Sequence, residues 1–226
     1  NSSTVAVAEH ALALLFSLSR KIPQLDQRVR IGEWPGGQLT QLAGKTLGIV
    51  GTGLVGIRLA KIASGIGMRI LVNSLSEIIK TTENSNWPEV GFSELLTSSD
   101  AISVHARLTP ETRMMFGASE FSKMKPTALF INTARGDLVD SVALAEALAN
   151  QTIAGAALDV FNSEPLDPQS MLSQLPNVIL TPHIASNTNE ALIVSLNMVI
   201  DNVINFINGD DVSGLKLDHL TGGSAS

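Results

Sequence analysis

The chain has 226 residues, with 15 Lys+Arg against 21 Asp+Glu for a net charge of −6, no cysteine, no tyrosine and 44% hydrophobic residues. A charge of this sign, without a basic block, argues against nucleic acid or an anionic membrane surface as the main partner. The absence of cysteine excludes disulfides, thiolate catalysis and cysteine-ligated metal centres. The length and apolar content suit one large domain, or one domain and part of another.

Val5, Ala8, Leu12, Leu15 and Leu18 recur at helical spacing behind Ser3 or Thr4 as cap. The stretch falls short of the roughly 20 residues of a membrane span. It carries Glu9 and His10, and it lacks the cationic start and cleavage site of a signal peptide. His10 reads as a core or interface histidine, and a cytoplasmic location is the expectation. A second helix is predicted from Pro23 to Ile31, ended by Gly32 and Pro35-Gly36-Gly37.

From Lys45 the pattern alternates. Short apolar runs at Thr46–Val50, Arg69–Val72, Ala101–Val104, Ala128–Ile131, Gly155–Leu158 and Val178–Leu180 predict strands. Helices are predicted at Leu54–Ile66, Phe92–Thr97, Ala118–Met124 and Ser141–Ala149. Buried, non-alternating strands separated by helices mean a doubly wound α/β fold, a parallel sheet covered on both faces. A last helix, from about Thr188 to Ile207, is interrupted by Asn197, Asp201, Asn202 and Asn205, and is read as a buried helix of a soluble protein. The tail Thr221–Ser226 has no pattern.

Gly51-Thr-Gly53-Leu-Val-Gly56 fits the dinucleotide fingerprint directly after a strand and at the opening of a helix. The first glycine permits the tight turn, the second admits the pyrophosphate to the backbone, and the third lets helix pack on strand. The N–H groups of Leu54, Val55 and Gly56 then face the phosphates at the positive end of the helix dipole. The acid expected about 20 residues on, at the end of the second strand, is absent. Asn73 and Ser74 stand there, Glu77 falls later and Lys80 is the nearest cation, so NAD and NADP both remain open.

Three strand ends carry titratable groups: Asn132-Thr-Ala-Arg135-Gly136-Asp137, Asp159-Val-Phe-Asn-Ser-Glu164-Pro165 and Thr181-Pro-His183-Ile-Ala-Ser186. Each has a bland reading as a turn or strand end. Together they bring one arginine, one carboxylate and one histidine to the edge where doubly wound sheets keep their ligand crevice. No set of histidines or carboxylates at helical metal-ligand spacing joins them, so no metal site is expected. Neither a Gly-x-Ser-x-Gly elbow nor a P-loop is present.

On these pieces, together with Ser103–Thr112, Met124-Lys-Pro126, Ala157–Phe161, Val7–His10 and Gly32-Glu-Trp34, the chain resembles the D-isomer-specific 2-hydroxyacid dehydrogenases. The wording at His105-Ala-Arg107 and Lys125–Phe130 is phosphoglycerate-dehydrogenase-like. The resemblance implies a Rossmann domain over residues 1–186 and, over 187–226, a crossing helix and tail that complete a substrate domain largely missing from this chain. It implies hydride exchange between NAD(P)H and the carbonyl of a small 2-oxo acid. Arg135 binds the substrate carboxylate, His183 is acid and base, and Glu164 supports His183. Asp159 and Thr133-Ala134-Arg135 hold the nicotinamide end, with His105 and Thr112 near the adenosine side. It also implies a homodimer, and weak turnover at best by this chain alone. The alternatives are a non-catalytic, dinucleotide-sensing interaction protein and a scaffold that has lost its cofactor.

Overall fold

In the computed structural model, which describes residues 3–74, 87–209 and 212, six strands and eight α-helices follow one another along the chain. They are α1 (Thr4–Ser19), α2 (Ile22–Arg30), β1 (Thr46–Val50), α3 (Leu54–Gly65), β2 (Arg69–Asn73), α4 (Phe92–Ser98) and β3 (Ala101–Val104). Then come α5 (Ala118–Lys123), β4 (Leu129–Asn132), α6 (Ser141–Ala149), β5 (Gly155–Leu158), α7 (Met171–Gln174), β6 (Val178–Leu180) and α8 (Asn189–Asn208). The readings placed on Glu77, Lys80, His219 and the tail 221–226 lie outside the described residues. The apolar runs foretell each strand to within a residue. They do not foretell α7, or the 3₁₀ turn Gly136–Leu138, each being about one turn long.

All strands are parallel in the order β2-β1-β3-β4-β5-β6. A parallel bridge joins Val72 to Glu89, with Val72 N–H donating to Pro88 and Val90 N–H donating to Val72. This rudimentary strand outside β2 restores the strand order of the doubly wound dinucleotide fold, whose direction reverses between β1 and β3.

Most strands split their residues between two cores, because successive side chains point to opposite faces. Leu47, Ile49, Leu129, Ile131 and Ala157 join Ala8, Ala11, Leu15 and Leu18 of α1 and Leu59, Ala60 and Ala63 of α3. Val50, Ile102, Val104, Phe130, Ala156 and Leu158 join Leu95 and Leu96 of α4, Phe121 of α5 and Leu144 and Leu148 of α6. Phe116, Phe121 and Phe130 meet with ring centroids 5.0 to 6.3 Å apart. At a typical 1.5–3 kcal/mol per fully buried large apolar side chain, these two cores supply most of the stabilisation of the sheet.

Residues 4–186 form one compact unit, and α8 belongs to a second. Thr188 caps α8 by accepting the Ala191 N–H, and Gly209, at φ 79°, ends it. With 20 residues and a mean hydropathy of 1.5, α8 is long and apolar enough to cross a membrane, by length and composition alone. Of its residues only Ala191 is buried, so the expectation of a buried helix is not met among the described residues. Hydropathic pattern tells that a face needs cover, not which element covers it.

Candidate active site

Strand register determines which residues meet at the carboxyl edge of the sheet. Asn73 pairs with Val50, Val50 with Val104, Val104 with Asn132, Asn132 with Leu158, and Leu158 with Leu180. One step further along every strand stand Ser74, Gly51, His105, Thr133, Asp159 and Thr181. The register therefore lines up five of the sequence-predicted residues in a single row, with Thr181 completing it. Arg135, Glu164 and His183 follow on the loops just beyond.

At the turn after β1, Gly51 has φ +98°, and a Cβ there would lie 2.6 Å from the backbone of His105 and Ala106. A Cβ at Gly56 would run into the carbonyl oxygen of Gly51. Both positions therefore exclude any side chain. Gly53 is different. It is extended (φ −71°), caps α3 without a side-chain hydrogen bond, and a Cβ on it would meet nothing within 4 Å. The opening turn of α3 is thus left with backbone N–H donors that no side chain caps, behind a residue small enough to let an anion approach. That is a cradle suited to a pyrophosphate, and Leu54, Val55 and Gly56 provide its donors.

The residues at the ends of this cradle are already held. Asn73 donates its side-chain amide to Val90 O (2.9 Å), and its buried Oδ1 has no hydrogen-bond partner among the described residues. Thr52 Oγ1 donates to Ser74 Oγ (3.0 Å). The His105 ring lies 2.9 Å from Ser103 Oγ, and desolvation pushes it down to about 4, so it is neutral at pH 7. Thr112 Oγ1 donates to Arg107 O (2.7 Å) and accepts the Thr109 N–H (2.8 Å), which fixes the turn of residues 107–112. Thr133 is buried, and its Oγ1 likewise lacks a partner among the described residues.

The arginine loop is built from its own strand. Asn132 Oδ1 accepts the Ala134 N–H (3.0 Å) while its Nδ2 donates to Arg135 O (2.9 Å). Arg135 is exposed, with one guanidinium N–H on Ala134 O (2.6 Å) and the rest of the fork available for an anion. Next to it, Gly136 abuts the backbone of Phe161 and Asn162 so closely that a Cβ would collide with the Phe161 carbonyl. Asn162 Nδ2 reaches back to Asp137 Oδ1 (3.0 Å), and Arg113 pairs the other oxygen, Oδ2, at 2.9 Å. The arginine loop and the glutamate loop are therefore docked on one another through backbone contact.

Glu164 Oε1 accepts the Phe161 N–H (3.0 Å), and Oε2 lies 2.7 Å from His183 Nδ1. The histidine hydrogen bond outweighs desolvation and holds the Glu164 carboxyl below its usual range. An ionised carboxylate only accepts, so His183 Nδ1 carries the hydrogen and Nε2 is left to gain or lose a proton. His183 is half exposed and sits at φ +54°, a left-handed conformation that costs a non-glycine residue about 1–3 kcal/mol unless its surroundings impose it.

Asp159 lies beneath that loop, fully buried. It accepts from Thr181 Oγ1 (2.6 Å) and from the N–H groups of Ile184 (3.0 Å) and Ala185 (2.9 Å). Burial raises its carboxyl, but the neighbouring His10 ring and the hydrogen bonds from Thr181, Ile184 and Ala185 together win and bring it to about 2. The carboxylate is thus ionised and spends its oxygens on shaping the loop that carries His183. Sequence reasoning did not reveal this use, nor the roles of Asn162 and His10. The one available signal was that His10 falls on the i±4 row of Ala6 and Leu14, both buried, where a polar ring requires a partner. Among the described residues no cluster suited to a metal ion occurs.

The family model of the D-isomer specific 2-hydroxyacid dehydrogenase NAD binding domain matches residues 12–185. A glyoxylate reductase of Thermococcus litoralis is 43% identical over 216 residues, covering 92% of this chain and 65% of that protein. A D-3-phosphoglycerate dehydrogenase of Archaeoglobus fulgidus is 39% identical over 209 residues, covering 92% and 40%. The structure of D-lactate dehydrogenase with NAD+ from Lactobacillus jensenii superposes with a TM-score of 0.84 at 30% identity, covering 93% of this chain and 68% of that one. The chain spans about two fifths to two thirds of the length of these curated relatives. By its sheet order, its glycine turn and the family model that matches most of its length, the chain belongs to the D-isomer-specific 2-hydroxyacid dehydrogenases.

Proposed function

We propose that this chain is the cofactor-binding and acid–base part of an NAD(P)-dependent dehydrogenase that interconverts a small 2-oxo acid and its D-2-hydroxy acid. The observation that carries the reading is the 2.7 Å bond between His183 and Glu164, set on the same sheet edge as the glycine turn. Held at that turn, NAD(P)H would supply the hydride chemistry. His183 delivers a proton from Nε2 to the carbonyl oxygen and recovers it in the reverse direction. Glu164 keeps the hydrogen on Nδ1, which fixes the ring's orientation and leaves Nε2 facing the substrate. Arg135 offers two parallel N–H groups to the substrate carboxylate. Gly51, Gly53 and the opening of α3 would hold the pyrophosphate, and Asn73 and Ser74, both uncharged, would admit a ribose with or without a 2′-phosphate. Thr133, Ala134 and Asp159 lie toward the nicotinamide, with His105 and Thr112 toward the adenosine.

The reading extends to a cytoplasmic homodimer. Its support is that α2 buries none of its residues and that Ile22, Val29, Ile31 and Trp34 stand exposed, Trp34 at 90%. Turnover by the 226 residues alone is expected to be weak. The test is NADH-linked reduction of glyoxylate and hydroxypyruvate by the full-length protein that carries this chain, wild type against His183→Gln. Loss of roughly 10²–10⁴-fold in kcat with NADH affinity retained is the expected result. Undiminished turnover in His183→Gln would overturn the reading.

A further inference from the structure

A second histidine lies behind the first. His10, on α1, places Nε2 3.0 Å from Thr181 Oγ1 and 3.5 Å from Asp159 Oδ1, with its side chain 21% exposed. Thr181 has one proton and gives it to Asp159 at 2.6 Å, because a carboxylate can only accept. The Thr181 oxygen is then left as an acceptor toward His10, which makes His10 Nε2 a donor. The 3.0 Å separation is a hydrogen bond, and the 3.5 Å approach to Asp159 adds attraction without good bonding distance. Donation thus runs from His10 to Thr181 to Asp159, and Asp159 in turn takes the N–H groups on the far side of His183. Thr181 and Ile184 bracket His183 in the sequence, and His183 N–H closes onto Thr181 O at 3.0 Å. The left-handed turn that aims His183 at Glu164 is therefore tied at both ends to one buried carboxylate, and His10 secures that carboxylate from the opposite side.

We propose that His10 is a positioning residue for His183, acting through the Thr181 hydroxyl and the Asp159 carboxylate to hold the 181–185 turn in the conformation that keeps His183 Nδ1 on Glu164. This deepens the dehydrogenase reading and rests on it for its meaning, but its test does not depend on turnover. A helix at the start of the domain thereby governs the tautomer of a residue 173 positions further on.

The four histidines of the chain make the test direct, since long-range proton–nitrogen correlation spectra of the 226-residue protein resolve each ring's tautomer. In the wild type, His10 is expected in its Nε2-protonated form and His183 in its Nδ1-protonated form. His10→Leu removes the donor at similar volume and is expected to abolish the Nδ1–H signature of His183. His10→Gln restores a donor near the position of Nε2 and is expected to bring the signature back. Thr181→Val breaks the same relay at its middle, so it is expected to lose the signature too, and adding His10→Leu to it is expected to change nothing further. A wild-type His10 with a bare Nε2 would overturn the proposal, as would a folded His10→Leu protein whose His183 keeps its Nδ1–H. If neither His10 variant folds, Thr181→Val decides: retention of the signature overturns the proposal and its loss supports it. Loss of tautomer control with turnover unaffected would refute the dehydrogenase role of His183, not the link from His10.

Discussion

The three glycines of the turn after β1 have different surroundings, and replacing each by alanine should separate folding from cofactor binding. At Gly51 an alanine must adopt φ +98°, which costs about 1–2 kcal/mol, and its Cβ would sit 2.6 Å from the His105–Ala106 backbone, adding a similar amount through displacement. Gly56→Ala drives a methyl into the Gly51 carbonyl oxygen, for about 1–3 kcal/mol. At Gly53 the backbone is already extended and the methyl enters open space, so the small loss of N-cap preference and the gain in unfolded-chain entropy offset one another to within about 0.5 kcal/mol. On the proposed function, that open space is where a pyrophosphate would come within hydrogen-bonding distance of the first turn of α3. Urea unfolding and NADH titration of the three variants read the two effects separately. Gly51→Ala should lose about 2–4 kcal/mol of stability and Gly56→Ala about 1–3 kcal/mol. Gly53→Ala should fold like the wild type and bind NADH at least about tenfold more weakly, equivalent to about 1.4 kcal/mol. A Gly53→Ala protein with wild-type affinity would refute the reasoning that this gap is an anion cradle.

Gly136→Ala should cost about 1–3 kcal/mol by pushing the arginine loop off the Phe161–Asn162 backbone. In the full-length protein it should lower kcat/KM for 2-oxo acids, while an unchanged stability would contradict the packing described. Asp159→Asn leaves one of the Ile184, Ala185 or Thr181 donors facing an amide N–H, and should cost about 2–4 kcal/mol in urea unfolding; a loss below about 1 kcal/mol would show the carboxylate to be dispensable. Acid should act in two windows. His105, lowered from 6.5 to about 4, binds its proton more readily when unfolded, so stability falls as pH drops from 6.5 toward 4. Asp159, lowered from 3.8 to about 2, adds about 2 kcal/mol above pH 4 that is lost as pH falls toward 2. His105→Gln should flatten the upper window of a pH–stability profile and leave the lower one. Light scattering should give twice the chain mass at tens of micromolar, about the range where a weak dimer holds, and a monomer there would contradict the dimer.

Most of the architecture could be read from the chain because buried parallel strands announce themselves as unbroken apolar runs, and because Gly51–Gly56 sits between one such run and a helix. The three charged segments were legible for a related reason: register in a parallel sheet carries residues that follow apolar runs to a common edge. What the sequence withheld depends on long-range partners. Asp159 reads like a ligand residue, and only the fold reveals that its oxygens face Thr181, Ile184 and Ala185. His10 reads like a packed ring because its partner lies 171 positions away. The docking of Gly136 on Phe161 is likewise invisible, since an Arg-Gly pair is common in turns. The short elements escaped because a single turn, as in α7 or Gly136–Leu138, is too brief to establish a period.

The central claim is that a nicotinamide dinucleotide binds at the glycine turn between β1 and α3. Titration of the wild-type 226-residue chain with NADH and, separately, NADPH, followed by the fluorescence of the reduced nicotinamide, tests it most directly. Saturable binding of at least one of the two, competed by the oxidised form and weakened in Gly53→Ala, is the result predicted. A folded chain that binds neither would contradict it.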